Sequence, residues 1–182
     1  MNFDFFKPVQ RSSFEHTIIA VLILILLALA VIKIIPMFGK VEQNYFENTR
    51  SQIDLIVRMF VSTQLLKGEP DAILAMVEGN PFQLIEKKYL PPNYLGELEH
   101  PDLSRMDGYL WYFDKSDHTL VYVVENERVF SSPKAGKAHI KFKLLLKFAD
   151  KDKNAVFNKE IDQIEGLLLV PLNKYEWLVD TA

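Results

Sequence analysis

A long apolar run near the N-terminus constrains the fold of this chain more than any other feature. The 21 residues from Ile18 to Phe38 include a single charged side chain, Lys33. As an α-helix they extend over about 31 Å, which matches a bilayer hydrocarbon core of about 30 Å. Backbone groups in lipid must be paired within the segment, so the run predicts a membrane-spanning helix over residues 17–38. Lys33 lies close enough to one end for its ammonium group to reach the interface.

The same run allows a second interpretation, as a cleaved secretory signal peptide. Ile18–Leu27 is then the apolar region and Ala28-Leu29-Ala30 the cleavage site. Cleavage there leaves an N-terminus that begins VIKIIPMF, which is strongly apolar for the start of a soluble protein. This consequence favours the uncleaved anchor, with residues 1–16 as a cytoplasmic tail.

Basic side chains flank the apolar run almost equally on its two sides. Two of them and the terminal amine precede the run, whereas four basic residues lie within or after it up to Arg58. Because large domains are exported despite moderate charge, we expect the tail inside and the C-terminal part outside. The predicted location is the inner membrane, with a single pass and a periplasmic domain over residues 69–182.

Residues 39–68 change from a continuous apolar run to a helical period. Apolar side chains at spacings of seven, three and four form one stripe, and charged side chains occupy the rest of the helix surface. Gly68 and Pro70 supply a stop signal. The membrane helix is therefore predicted to continue as one amphipathic helix to about Lys67. The stripe consists of Phe46, Ile53, Ile56 and Phe60, and the charged positions are Glu42, Glu47, Arg50, Asp54 and Arg58.

The remaining sequence predicts a domain in which short helices precede a sheet. Pro70 and Asn80 begin two short helices, and a loop containing Pro and Gly then runs to Gly108. Beyond Gly108 the period changes to two, with a DKSDH turn between the first two strands. The fold class is therefore α+β, with a long N-terminal membrane-spanning helix packed on a small antiparallel sheet. The predicted strands are 109–113, 119–124, 138–148 and 166–172, and Pro171 in the last one indicates either an edge strand or a strand end.

Composition and motif content exclude several classes of function. The chain has no cysteine, which removes disulfides, thiol nucleophiles and cysteine metal sites, and its net charge of −3 gives no basic field for nucleic acid. The sequence contains no phosphate-binding glycine loop and no serine-hydrolase motif. Its four histidines lie in separate segments, and the aspartates of a DKSD run and a DKDK run, interspersed with lysines, predict turns rather than calcium loops. We therefore expect a non-enzymatic protein with no cofactor or metal. The aspartates of these two runs are Asp114, Asp117, Asp150 and Asp152.

Two further clusters of side chains allow either a binding or a structural interpretation. Lys141 and Lys143 alternate with apolar residues, which predicts a strand with one wet, basic face. Trp111 and Tyr112 belong to an aromatic run that can stack on a ligand. On a strand, however, alternate members face the core and the solvent, and this structural interpretation is favoured.

The predicted organisation resembles that of pilins and pseudopilins, with a tail, an apolar helix that becomes amphipathic, and an antiparallel sheet. The run GYLWYFD (Gly108–Asp114), followed by LVY (Leu120–Tyr122), is similar to the G-x-W-x-Y-D … L-v-Y hairpin of MSHA-type (mannose-sensitive haemagglutinin) type IV pilus biogenesis proteins. The resemblance implies a pilin-like fold and a membrane-anchored role in pilus assembly. It implies pilus or secretion assembly proteins as partners, besides the membrane, and neither nucleic acid nor a small-molecule substrate.

The N-terminal sequence departs from the pilin processing site. Pilins have Gly before the cleavage point, then Phe, and Glu at the fifth mature position. Here Ser13 precedes Phe14, the fifth position is Ile18, and the nearest acid is Glu15. We therefore expect an accessory component rather than a filament subunit, with a periplasmic ligand-sensing module as the alternative. Candidate partner contacts are Phe14, Glu15, Lys33, Trp111 and Tyr112.

Overall fold

The computed structural model describes residues 13–133 and 136–178, with only the backbone described for residues 13, 35 and 36. The chain divides into two compact units, of which the first ends at Phe38 and the second begins at Gly39. The fold class is α+β, with one long N-terminal helix and a mostly antiparallel five-stranded sheet. Residues 1–12 of the predicted tail lie outside the described residues.

The helix α1 (Ser13–Lys67) carries the apolar run in its first part. An 18-residue window of this run has a mean hydropathy of 3.4, and none of the window is buried. Among the described residues, α1 is the one helix long and apolar enough to cross a membrane. It begins four residues before the predicted span, so residues 13–16 are helical rather than part of an irregular tail.

Within the second unit, α1 buries one stripe of side chains at helical spacing. Of the predicted stripe, Phe46 and Ile53 are fully buried, whereas Ile56 and Phe60 are half-buried at its margin. The predicted end is confirmed: Gly68 has a φ of +72°, and the N–H of Glu69 donates to the carbonyl of Gln64 over 2.9 Å. The buried positions of α1 are Gly39, Glu42, Phe46, Thr49, Ile53, Val57 and Val61.

The sheet confirms the predicted hairpin and both later strands. Its order is β1-β2-β3-β5-β6, and all neighbours are antiparallel except β1 and β2, which are parallel. Strand β6 lies at the edge of the sheet and ends at Pro171, one residue before the predicted bound, so Pro171 marks both an edge strand and a strand end. The short strands β4 and β7 form a separate two-stranded sheet. The strands are β1 Tyr94–Leu98, β2 Leu110–Asp114, β3 Thr119–Val123, β4 Phe130–Ser131, β5 His139–Ala149, β6 Gln163–Pro171 and β7 Glu176–Trp177.

The segment between α1 and β2 differs from its prediction. Helix α2 (Pro70–Ala75) has six residues, and the predicted second helix is replaced by two 3-10 turns over 81–84 and 87–89. The proline that follows Leu90 disfavours helical backbone there, and Leu90 has a ψ of 145°. The predicted loop contains β1, whose parallel pairing with β2 makes the sheet mixed rather than purely antiparallel. Asn80 caps its turn as predicted, because its side chain accepts from the Phe82 N–H.

Both faces of the β2–β3 hairpin are buried. One face packs in the main core with α1, and the other forms a second core beneath the residues that follow β1. The prediction that alternate hairpin residues face solvent is therefore wrong, because the chain between β1 and β2 covers that face. The second core contains Leu110, Tyr112, Val121 and Val123, covered by Leu98, Leu103 and Met106.

Candidate functional site

A buried carboxylate fixes the first turn of α1 in the second unit to the end of β3. The Glu42 side chain is 1% exposed. One of its oxygens accepts from the Tyr122 hydroxyl over 3.0 Å and from the Glu125 N–H over 2.8 Å. The other accepts from the Asn126 N–H over 2.9 Å and from the Asn126 side-chain amide over 2.6 Å. Four donors therefore surround one carboxylate, which is the arrangement that lets a charge remain buried.

The hydroxyl of Tyr122 acts as a donor in this cluster. Burial, followed by the negative charge of Glu42 and their hydrogen bond, raises the pKa of Tyr122 far above its usual value. The hydroxyl consequently keeps its proton throughout the physiological range and donates to Glu42.

Gly39 extends the same attachment by one helical turn. A Cβ atom at Gly39 would overlap the side chain of Val129, so only glycine allows this approach. Gly39 directly follows the apolar run, and it and Glu42 both contact the segment 125–129. We refer to Gly39, Glu42 and residues 122–129 as the clamp.

An aromatic cluster around Phe46 continues the attachment beyond the clamp. The Phe46 ring is fully buried, with its centroid 5.0–6.1 Å from the centroids of five other rings. Contacts of this number exclude water and give the α1–sheet interface a fixed geometry. The five rings belong to Trp111, Tyr122, Phe142, Tyr175 and Trp177.

The predicted partner contacts in the hairpin are core residues. Trp111 and Tyr112 are both 0% exposed, on opposite faces of β2. Neither offers a surface to a partner, so the structure corrects their assignment as contact candidates. Burial, and then the charge of Asp114, raises the pKa of Tyr112, and its hydroxyl has no hydrogen-bond partner among the described residues.

The predicted contacts in the first unit are exposed. Phe14 is 73% exposed, and Glu15 and Lys33 are also exposed. These three side chains lie on the apolar helix, where a membrane or a neighbouring helix is the expected environment. The structure leaves all three side chains accessible to a partner, with Phe14 and Glu15 adjacent near the start of α1 and Lys33 further along it.

The predicted basic strand face is partly neutralised. Lys141 lies 2.5 Å from the Asp117 carboxylate, and Lys143 lies 3.1 Å from Glu78. The hydrogen bond and charge of Lys141 lower the pKa of Asp117. This face therefore gives the protein little free positive charge for an anionic ligand.

Three aspartates in the loop after β5 come together on the surface. Carboxylate oxygens of Asp150, Asp152 and Asp162 lie within 4.8 Å of one another. Asp150 accepts from the backbone N–H groups of Lys153 and Ala155, and these loop bonds lower its pKa. Asp150 and Asp152 are turn residues as predicted, while the approach of Asp162 depends on chain folding that the local sequence did not reveal.

The side of α1 that faces away from the sheet carries exposed apolar residues. Leu55, Met59 and Leu66 are 58%, 61% and 90% exposed. Beside them, a groove of about 600 Å³ separates α1 from the 3-10 turns and is lined by Ile56, Met59, Phe60, Thr63, Gln64, Leu84, Ile85, Glu86 and Tyr89. The exposed residues and the groove together form an extended apolar surface within the second unit.

Comparison of the chain with protein-family models, with curated proteins and with solved structures finds no match. The clamp and the aromatic cluster can attach a helix firmly to a sheet, and the other side of α1 presents an apolar surface.

Sequence reasoning missed Glu42, which was placed on the solvated face of the amphipathic helix. The signal that identifies it is its phase. Glu42 precedes Phe46 by four residues and Ile53 by eleven, so it lies on the buried stripe. A carboxylate in phase with a core stripe indicates a buried hydrogen-bonded group.

Proposed function

We propose that this protein is a non-enzymatic, membrane-anchored accessory component of an MSHA-like type IV pilus assembly system, acting through protein–protein contacts. One observation carries the proposal. A single helix, Ser13–Lys67, contains a run long enough to cross a membrane and also supplies the central core stripe of an α+β domain. This is the organisation expected from the resemblance to pilins.

The proposed location is the inner membrane, with the second unit in the periplasm. The apolar run supports the anchor, because its side chains are exposed and need an apolar environment. The absence of Gly before Phe14 supports a resident component over a processed filament subunit. Phe14, Glu15 and Lys33 are the proposed contacts with partner helices in the membrane.

The clamp supports a scaffolding role for the second unit. Glu42 and Gly39 attach the first turn after the anchor to residues 122–129, so movement there is resisted by buried hydrogen bonds. Within the second unit, the exposed surfaces of α1 and of the sheet therefore keep a fixed arrangement. That property suits an assembly scaffold better than a sensor that must change shape.

Deletion of the gene tests the proposal directly. We expect fewer surface pili by electron microscopy and weaker adhesion, both restored by the wild-type gene. Sheared pili should lack this protein on immunoblots, and membranes should contain it. A deletion strain with normal pilus number and adhesion would refute the assembly role. Abundant protein in sheared pili would instead indicate a filament subunit.

Protease access tests the location independently. In intact cells the second unit should resist added protease, and in spheroplasts it should be digested while the anchor stays in the membrane. Protection in spheroplasts would place the domain in the cytoplasm and contradict the proposed orientation.

A further inference from the structure

The exposed apolar side of α1 has the spacing of a helix–helix seam. Leu55, Met59, Ser62 and Leu66 follow one another at intervals of four, three and four residues, which aligns them along one side of the helix. We call these four residues the outer stripe. It extends over about 17 Å at 1.5 Å per residue. The outer stripe lies opposite the buried residues Ile53 and Val57 and takes no part in the domain core.

The charge pattern of α1 favours a second copy of the chain as the occupant. In a parallel pair of identical helices, a residue on the two-fold axis faces its own copy, so a charged residue there meets a like charge. Self-association along one stripe therefore favours a stripe with few charges. The outer stripe contains no charged residue, and between Leu55 and Leu66 the only charged residue is Arg58, at a flanking position. By contrast, the solvent-accessible positions of α1 from Lys40 to Asp54 include the exposed Lys40 and the half-buried Glu47, Arg50 and Asp54.

The small residue at the centre of the stripe supports close packing. Ser62 separates Met59 from Leu66 and lets two helices approach there. Leu65, which is 45% exposed, and the half-buried Ile56 widen the apolar surface on its two flanks. In a parallel pair, the two serines therefore let the helices approach each other, and the apolar side chains of the two copies pack around that point.

We propose that two copies of this protein associate side by side through the outer stripe, with their α1 helices parallel. The proposal rests on membrane anchoring and not on the pilus role. Copies anchored in one membrane by the same run present their second units on the same side, so equivalent residues meet at equal height. Leu55, Met59, Ser62 and Leu66 then face their own counterparts across the two-fold axis.

The size of the surface explains why anchoring matters. A stable soluble interface buries about 800 Å² per partner, and three helical turns with three large apolar side chains supply less than that. Confinement in a membrane raises the effective concentration of the second copy, which compensates for a small contact area. The association is therefore expected for the anchored chain in its membrane.

Cysteine cross-linking tests the proposal without background, because the natural sequence has no cysteine. Full-length Ser62→Cys and Leu66→Cys variants are oxidised in membranes with copper phenanthroline, and dimers are counted on non-reducing gels. Leu95→Cys is the matched control, since Leu95 is 54% exposed and lies on β1, away from the stripe. We expect both stripe variants to cross-link at least about tenfold more than the control.

A charge placed in the stripe separates a specific contact from random collision. Met59→Lys in the Ser62→Cys background sets two ammonium groups against each other and should lower the dimer fraction about tenfold. Leu95→Lys makes the same change at a similar exposure outside the stripe and should leave it unaltered. Neither position is buried, so both variants should fold, as checked by tryptophan fluorescence.

Three results would overturn the proposal. One is cross-linking of Ser62→Cys no higher than that of Leu95→Cys. Another is dimer formation that Met59→Lys leaves unchanged. The third is an antiparallel pair, in which Leu55→Cys links to Leu66→Cys in mixed samples while Leu66→Cys fails to link to itself. Membrane fractionation of each variant shows separately whether the anchor has failed, so loss of dimer is not confused with loss of anchoring.

Discussion

Removal of the Glu42 carboxylate is expected to destabilise the second unit more than any other single change of a polar side chain on α1. In Glu42→Ala, the Tyr122 hydroxyl and the N–H groups of Glu125 and Asn126 lose their acceptor. These donors become buried or half-buried without a partner. The methyl group of alanine also leaves a void where the carboxylate was.

The magnitude follows from two opposing contributions. Hydrogen bonds to a charged group contribute about 1.5–3 kcal/mol each, so four of them represent about 6–12 kcal/mol. Burial of the carboxylate costs several kcal/mol, which the alanine variant recovers. The net loss for removing one member of a buried charged cluster is about 3–5 kcal/mol. Glu42→Gln keeps one acceptor oxygen but turns an NH₂ group toward Asn126, so we expect about 1–3 kcal/mol.

Tryptophan fluorescence of the full chain in detergent measures this loss. Both tryptophans, Trp111 and Trp177, lie in the second unit beside Phe46, so the signal reports unfolding of that unit alone. For a unit of this size, the Glu42→Ala variant should melt about 10–15 °C below the wild type. Glu47→Ala is the matched control, because Glu47 is half-buried and makes only a surface ion pair at 3.6 Å, contributing less than about 1 kcal/mol.

Two tyrosine variants with the same chemical change isolate the hydrogen bond. Tyr122→Phe removes a donor to Glu42 and should cost about 1–2 kcal/mol. Tyr112→Phe removes a buried hydroxyl that has no partner among the described residues, and should leave stability unchanged or raise it by about 1 kcal/mol. Equal losses in the two variants, or a Glu42→Ala variant as stable as Glu47→Ala, would refute the clamp.

Three further changes follow from particular contacts. Gly39→Ala should destabilise the second unit by about 1–3 kcal/mol, because the new Cβ overlaps the Val129 side chain. Adding Val129→Ala should restore most of this loss. A Gly39→Ala variant that is more stable than the wild type would show that the close approach is absent. The side-chain amides of Asn80 and Gln83 lower the pKa of the Glu97 carboxyl group. The contribution of these hydrogen bonds to folding stability is therefore present above the unfolded pKa of about 4.3, and it is lost as the pH falls through the lower folded pKa. Asn80→Ala should raise the pKa of Glu97 in an NMR titration and weaken acid resistance, and an unchanged titration would contradict this. Phe46→Ala should cost about 3–5 kcal/mol by chemical denaturation, whereas a loss below 1 kcal/mol would mean that the aromatic cluster is loosely packed.

The elements that sequence reasoning predicted correctly are those with local signals. The period of Phe46 and Ile53 located the buried face of α1, and Gly68 located its end. The change to a period of two after Gly108 located β2, β3, β5 and β6. In each case the pattern lies within one segment, although it did not reveal that both faces of β2 and β3 are buried.

The elements that were missed depend on contacts between distant segments. Strand β1 has a Gly at position 96 with a φ of +95° and follows two prolines, so its composition is that of a loop. Its strand character comes from pairing with β2, which follows it in the chain. The phase of Glu42 places it on the buried stripe, but its four donors lie 80 to 84 positions away along the chain, so the local sequence does not show what pairs with a buried carboxylate there.

The residues that carry the resemblance to pilus biogenesis proteins are structural in this chain. Gly108 leaves room for Glu125, Trp111 packs on Phe46, Asp114 accepts from the Ser116 N–H in the turn, and Tyr122 donates to Glu42. The side chains of Trp111, Asp114 and Tyr122 are buried, so they offer no accessible surface that a partner could recognise. In this chain the hairpin therefore serves to hold α1 on the sheet. The proposed contacts with partners depend on other surfaces, and the exposed apolar residues of α1 have the chemistry for such contacts.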